Sequence, residues 1–473
     1  MSASFKPADV QGNIVRGYRL PLVRYLMLEV ADRAAARRWL AGSVSGAGNG
    51  VPQITSEAPW GHTKPETCFN IGLTYPGLLA LGTPEATLNG FSTEFRQGMA
   101  YRAVKLGDVD DSAPNKWPAP FDNPDRIHLI ATIYAHDNAH LDRVQREALA
   151  GNAFKLLGTR DGESFHDNYV HFGYRDNITQ PRFPGIHDSE RYADGQPKAP
   201  LGTVLLGYDT NFEGLMFQIP APETFGLNGS FNAFRILAQD VNGFEKYLDQ
   251  AAEKLLGHPK VDEVLPPGAE GSIGAGLTRH AALREVVAAN MCGRWRNGMP
   301  LALYDAPTPE VPVRMMTDFD YTSDSRCPYG SHIRRANPRG AQIVQRVANN
   351  SRRLIRRGMP YGPLYDPAKP DDAGKPIPER GLLGNFIGAN LGAQFEAMMT
   401  DWLNLGLQDP RVTGSNDPLL GANDPENSWF DLPLKSGETI RMRGLPRFVQ
   451  TRGGAYTFLP GIPGIRYLGG LTN

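Results

Sequence analysis

Residues 324–340, DSRCPYGSHIRRANPRG, set one histidine, His332, five positions after Cys327 and directly before Ile333-Arg334-Arg335. A histidine ligates a metal when one ring nitrogen is neutral and open and the other N–H is held by a carboxylate or a carbonyl. The alternative is a structural histidine on the surface or in a hydrogen bond, and the neighbourhood argues against it. From 333 to 362 the chain carries eight arginines, Arg334, Arg335, Arg339, Arg346, Arg352, Arg353, Arg356 and Arg357, and no acidic residue. In a chain whose formal net charge is −1 such a window marks a local anion site for phosphate, carboxylate or propionate, with a solvated basic face as the competing reading.

The rest of the composition limits what can stand around these residues. The 473 residues suit two packed domains, and 41% hydrophobic content suffices for a sizeable core. The near-zero net charge gives no general attraction to nucleic acid or an anionic membrane. Three cysteines, Cys68, Cys292 and Cys327, cannot build a disulfide framework or a zinc site by themselves, which fits a reducing compartment. No apolar run reaches membrane-spanning length, and the first 30 residues lack a signal-peptide pattern, so the expectation is a cytoplasmic protein.

Hydrophobic periodicity supplies the elements that must position the site. LVRYLMLEV (22–30) alternates as a strand and leads into a helix that Asp32 can cap; TCFNIGLTY (67–75) and RIHLIATIYA (126–135) are further strands, the second followed by the amphipathic DNAHLDRVQREALAG. The second half repeats the rhythm: a strand turning into a helix over 229–257, another over 380–406, and a hairpin around Gly453-Gly454 in LPRFVQTRGGAYTFLPG (445–461). Segments 179–203 and 358–380, rich in Pro and Gly, read as long loops. This βαβ order favours an α+β sandwich built from two units of similar plan.

CPYGSHIRRANPR resembles the proximal haem-ligand segment of the dye-decolorizing peroxidases, and other stretches match that family in the same order. DVQGNIVRGY (9–18) is similar to its opening, HFGYRDNITQP (171–181) to its distal motif, NGSFNAFRILAQDV (228–241) to its second-domain entry and RRLIRRGMPYGP (352–363) to the segment with its distal arginine. The resemblance implies two ferredoxin-like α/β sandwich domains in a dimeric α+β barrel-like arrangement, over 1–220 and 221–473, the second holding most of one haem b per chain. It also implies hydrogen peroxide as oxidant and dyes, phenols and small aromatic reductants as donors, with no nucleic acid or membrane partner; a monomer and a homodimer both remain open.

The same resemblance assigns roles. His332 is the implied iron ligand. GTRDG (158–162) fits the family's Gly-x-x-Asp-Gly distal pattern, whereas GYRDN (173–177) has the family's flanks. The flanks select Asp176 as acid/base, with Asn177 replacing a glycine; asparagine tolerates a left-handed backbone best among the other residues. Arg356 is the charge-stabilising arginine and Arg353 its fallback. Asp417 in TGSNDPLLG is the implied carboxylate behind His332, and Glu396 in QFEAMM its competitor. Arg334, Arg335, Arg339, Arg352 and Arg353 are candidates for propionate pairing. Trp402, Tyr361 and Tyr467 could pass electrons outward but are ordinarily core residues. Two other classes compete: a non-catalytic haem sensor or carrier that uses a Cys327-Pro328 thiolate, and a nucleic-acid binder built on the arginine window.

Overall fold

A computed structural model describes residues 4–46, 50–61, 63–187, 198–212, 214–307, 312–322, 326–341, 352–366, 371 and 376–472. Arg346 lies outside the described residues. In the first half, β1 (Leu22–Val30) is followed by α1 (Arg33–Gly42), β2 (Thr67–Leu73), β3 (Leu129–Ala135), α2 (Asn138–Ala148) and β4 (Phe154–Glu163). Both helices begin where an aspartate satisfies an otherwise orphan amide: the side chain of Asp32 accepts from Ala35 N at 2.7 Å and that of Asp137 from His140 N at 2.9 Å. The strands lie in the antiparallel order β4-β1-β3-β2, the plan of a ferredoxin-like unit.

The second half repeats that plan with larger insertions. Here β5 (Ser230–Gln239) leads into α3 (Val241–Leu256), then α4 (Arg279–Cys292) and the short α5 (His332–Ala336). Next come β6 (Ile355–Arg356), β7 (Met359–Tyr361) and β8 (Gly381–Gly388), and a wide helix over Leu391–Glu396 and Met398–Asn404. A small hairpin, β9 (Trp429–Pro433) and β10 (Thr439–Arg443), precedes β11 (Val449–Leu459) and the C-terminal α6 (Ile462–Gly469). The order β11-β5-β8-β6 is again first strand against last and third, with β7 also on β8.

The two halves share one nine-stranded sheet, joined where Phe458 of β11 pairs with Leu73 of β2. At the other end β4 approaches β7 so closely that a Cβ on Gly162 would sit 2.9 Å from the Pro360 carbonyl oxygen. The sheet therefore curls toward closure, the barrel-like arrangement the resemblance implied. One core fills the first half and the join, a second lies among α3, α4, β9 and β10, and the cavity described below lies between the second-half sheet and α5.

One sequence expectation is corrected. Gly453 and Gly454 do not turn a hairpin but lie inside the continuous strand β11, with a bulge between Thr451 and Gly453 against β5. Their smallness is used for packing, since a Cβ on Gly453 would lie 2.6 Å from the Phe121 ring and one on Gly454 would collide with Met99. The hairpin near this end of the chain is β9–β10, closed by Gly437 at φ +87°. β4, β6 and β7 were not foreseen either; the last two are only 2 and 3 residues long.

Candidate active site

His332 opens α5, just after the turn Cys327–Gly330, with Ser331 at the extended position before the helix. Its Nδ1–H donates to Asp417 Oδ2 at 2.9 Å, which leaves Nε2 as the ring nitrogen available to a metal. Asp417 is fully buried, and its other oxygen accepts from Leu419 N at 2.9 Å and Leu420 N at 2.8 Å. Burial disfavours the imidazolium of His332, but the Asp417 charge and hydrogen bond outweigh it and raise the pKa above the ordinary histidine value. For Asp417 burial acts upward, yet His332, Arg335 and the Leu420 amide hold the carboxyl below its usual range.

The exposed edge of His332 faces a cavity of about 340 Å³ with mostly apolar walls, among them Leu237, Phe386, Phe395 and Leu420. Volume and lining are those of a small-molecule site. Asp176 and Arg356 border the same cavity from two other elements. Asp176 sits on the loop after Gly173 (φ +75°), and Asn177 adopts the left-handed backbone (φ +58°) that glycine would otherwise supply. The Asp176 amide donates to Asn168 O at 2.8 Å. Arg356 comes from β6; its Nη2 donates to Thr179 O at 3.1 Å and its Nη1 stands 3.7 Å from Asp176 Oδ1.

The competing GTRDG run lies elsewhere. It forms part of β4, where Asp161 is engaged by Arg24 at 2.7 Å. Of the two aspartates, only Asp176 borders the cavity that His332 faces.

Arg339, Arg352 and Arg353 also line the cavity, whereas Arg334 and Arg335 do not. Arg334 donates to Cys327 O at 2.6 Å and stacks on Tyr321 and Tyr329, and the fully buried Arg335 is held by Gly330 O, Trp402 O, Ser415 O and Ser415 Oγ. These two guanidiniums brace the turns behind His332, so the structure does not bring them to the cavity. Arg339 donates to Thr317 O and Phe319 O; Arg352 pairs with Asp401 at 3.3 Å over the Trp402 ring. Burial, with the nearby charge of Arg339, pulls Arg353 down to about 9, so an anion entering between the two would relieve both.

Glu396 does not line the cavity, and the acid bonded to His332 is Asp417. Its buried carboxylate meets Arg102 at 2.6 Å, Lys105 at 3.3 Å and the Tyr456 hydroxyl at 3.0 Å. Cys327 faces Ser331 Oγ at 3.2 Å and does not line the cavity, so nothing favours it as a metal ligand; all three cysteines are buried and none is in a disulfide. Trp402, Tyr361 and Tyr467 are core or partly buried residues. Sequence reasoning gave no role to Gln180, although it lies in the quoted distal segment; its side-chain amide grips the backbone of Arg356.

A haem fits this donor set. One imidazole is oriented by a buried acid, apolar walls suit a porphyrin, and cationic side chains suit its propionates. No cluster of three or more His, Cys, Asp or Glu that could hold a free metal ion occurs among the described residues, so an iron here would depend on a macrocycle for its other ligands. No helix among those residues is long and apolar enough to cross a membrane.

No protein-family model matches the chain. Curated relatives do. The dye-decolorizing peroxidase msp1 of Mycetinis scorodonius is 27% identical over 98% of this chain and 88% of its own length. The dye-decolorizing peroxidase of Mycena epipterygia is 28% identical over 97% and 86%. Among solved structures, a dye-decolorizing peroxidase in complex with 2,6-dimethoxyphenol superposes with a TM-score of 0.78 at 25% identity, covering 98% of this chain and all of that one.

Proposed function

We propose that this chain is a haem peroxidase of the dye-decolorizing type, which uses hydrogen peroxide to oxidise aromatic dyes, phenols and other one-electron donors, as its similarity to such peroxidases supports. The observation that carries the reading is the meeting of His332, Asp176 and Arg356 at one cavity from three separate elements. Bound haem supplies the iron at which peroxide is cleaved and the oxidising equivalents passed to the donor. His332 Nε2 would hold the iron, and Asp417 fixes its tautomer and raises its basicity through the Nδ1–H contact. Arg339 and Arg353, on the cavity wall, would pair with the propionates of one haem b per chain, which the unit 221–473 would mainly hold while the unit 1–220 contributes Asp176.

The distal pair divides the work of splitting an O–O bond. The Asp176 carboxylate takes the proton of the inner peroxide oxygen and returns it to the outer one. The Arg356 guanidinium stabilises the negative charge that builds on the departing oxygen. Their 3.7 Å separation lets both reach one small reactant. Aromatic donors, as in the 2,6-dimethoxyphenol complex of the solved relative, would meet the apolar walls. Buried cysteines outside any disulfide suit a reducing, cytoplasmic setting. Rapid mixing of the haem-loaded chain with peroxide tests the reading: Asp176→Asn and Arg356→Leu should each slow the reaction while haem stays bound. Equal loss of haem in both would make them structural residues and overturn the assignment.

A further inference from the structure

The side chains of Arg356 and Asp176 are 41% and 50% exposed, and at 3.7 Å they make only a long, solvent-screened ion pair with each other. What holds the two elements together is found on the backbone. β6 pairs antiparallel with β8 through Ile355↔Ile387 and Arg356↔Phe386, and the next amide, Arg357 N, donates inward to Asn385 O at 2.9 Å. Along a strand successive N–H and C=O groups point to opposite edges, so those of Arg356 point outward, where an edge strand has no partner. Gln180 fills that edge. Its Oε1 accepts from Arg356 N at 3.2 Å and its Nε2 donates to Arg356 O at 3.0 Å, the two bonds a neighbouring strand would make. Pro181 follows, which biases Gln180 toward the extended backbone of a strand mimic. Thr179, one residue earlier, offers its carbonyl to the Arg356 guanidinium at 3.1 Å, and Asp176 lies four residues upstream on the same loop.

We propose that Gln180 is a positioning residue for the distal pair: its amide welds the loop that carries Asp176 to the strand that carries Arg356 and so sets their separation. The inference rests on the function proposed above. A leucine at 180 keeps the bulk but removes both bonds, and an edge left open lets the loop drift. Displacements of an ångström at a reacting centre cost one to two orders of magnitude in rate, so Gln180→Leu should slow the peroxide reaction by roughly tenfold or more. Gln180→Glu keeps an acceptor for Arg356 N but, ionised, has no donor for Arg356 O, and should fall between the two.

The experiment measures, on haem-loaded wild type, Q180L, Q180E, D176N and R356L, the rate constant for peroxide, the KM for a phenolic donor, the Soret absorbance and hydrogen exchange of peptides covering 354–358. The expected result is a graded loss in the peroxide step for Q180E and Q180L, an unchanged donor KM and Soret band, and faster exchange over 354–358 in Q180L. Wild-type peroxide kinetics in Q180L beside slow D176N and R356L would overturn the role of Gln180 alone. Loss of haem or a general rise in exchange in Q180L would make it a structural residue and likewise overturn it. Wild-type rates in D176N and R356L would overturn the roles of the distal pair, and this inference with them, whereas a haem-loaded wild type that does not react with peroxide would overturn the function itself.

Discussion

The proximal and distal sides of the cavity are built on opposite principles. Behind His332 everything is closed: Asp417 is fully buried and its two oxygens accept from one imidazole and two backbone amides. Arg334 and Arg335 lock the surrounding turns through carbonyls. On the distal side Asp176 and Arg356 are about half exposed, and backbone contacts at Asn168, Thr179 and Gln180 hold them. A metal ligand must not move, so burial and saturated hydrogen bonding serve it; groups that move a proton on a small reactant must stay accessible. Burying the distal pair would cost desolvation and shut out peroxide.

Substitutions can break this contrast in order of severity. On the distal side, Asp176→Asn should lower the peroxide rate constant by about 10²–10⁴ and Arg356→Leu by about 10²–10³, with little change in haem affinity. On the proximal side the balance reverses: Asp417→Asn should weaken haem binding by about 10–100-fold in a titration followed at the Soret band. Glu396→Gln, at the competing acid, should leave that titration unchanged, because its partners are Arg102, Lys105 and Tyr456.

The smallest effect on the reaction concerns the support beneath β6. Glu57 accepts from Val15 N and Arg16 N, and Arg357 donates to the carbonyls of Asn13, Ile14 and Val15 in the same opening segment. Burial pushes the Glu57 carboxyl from 4.5 up to about 7 against the pull of those amides and of Arg357 and Arg16. The folded state therefore holds this proton more tightly than the unfolded one. The associated stability is complete below about pH 4.5 and is lost as pH rises through about 7, up to about 3 kcal/mol. Glu57→Gln should remove this slope without slowing the enzyme, seen as a Tm difference between variant and wild type that changes sign or size between pH 5 and 8.

The same contrast explains what could be read from sequence. His332 and its arginines occupy one contiguous run, and family flanks picked GYRDN over the better-fitting GTRDG, which is a strand segment tied to Arg24. Asn177 was legible because a left-handed position leaves few residue choices. The partner of His332 was harder, since Asp417 lies 85 residues away and only the fold decides between it and Glu396. Arg334 and Arg335 were taken for cofactor contacts because charge is visible in a sequence and the carbonyls that satisfy it are not. Gly453-Gly454 reads as a turn for a similar reason: a glycine needed for close packing against Phe121 looks the same as one needed for positive φ. Two α+β units of similar plan follow from alternating strands and helix caps, and the family resemblance implied their ferredoxin-like form, but 2- and 3-residue strands such as β6 and β7 carry too little periodicity to detect.

The most direct measurement is the optical and electron paramagnetic resonance spectrum of the haem-loaded chain beside its His332→Ala variant. A ferric haem with histidine ligation in the wild type, lost in the variant, is the expected result. A histidine-ligated spectrum that survives the substitution would contradict the placement of iron at His332.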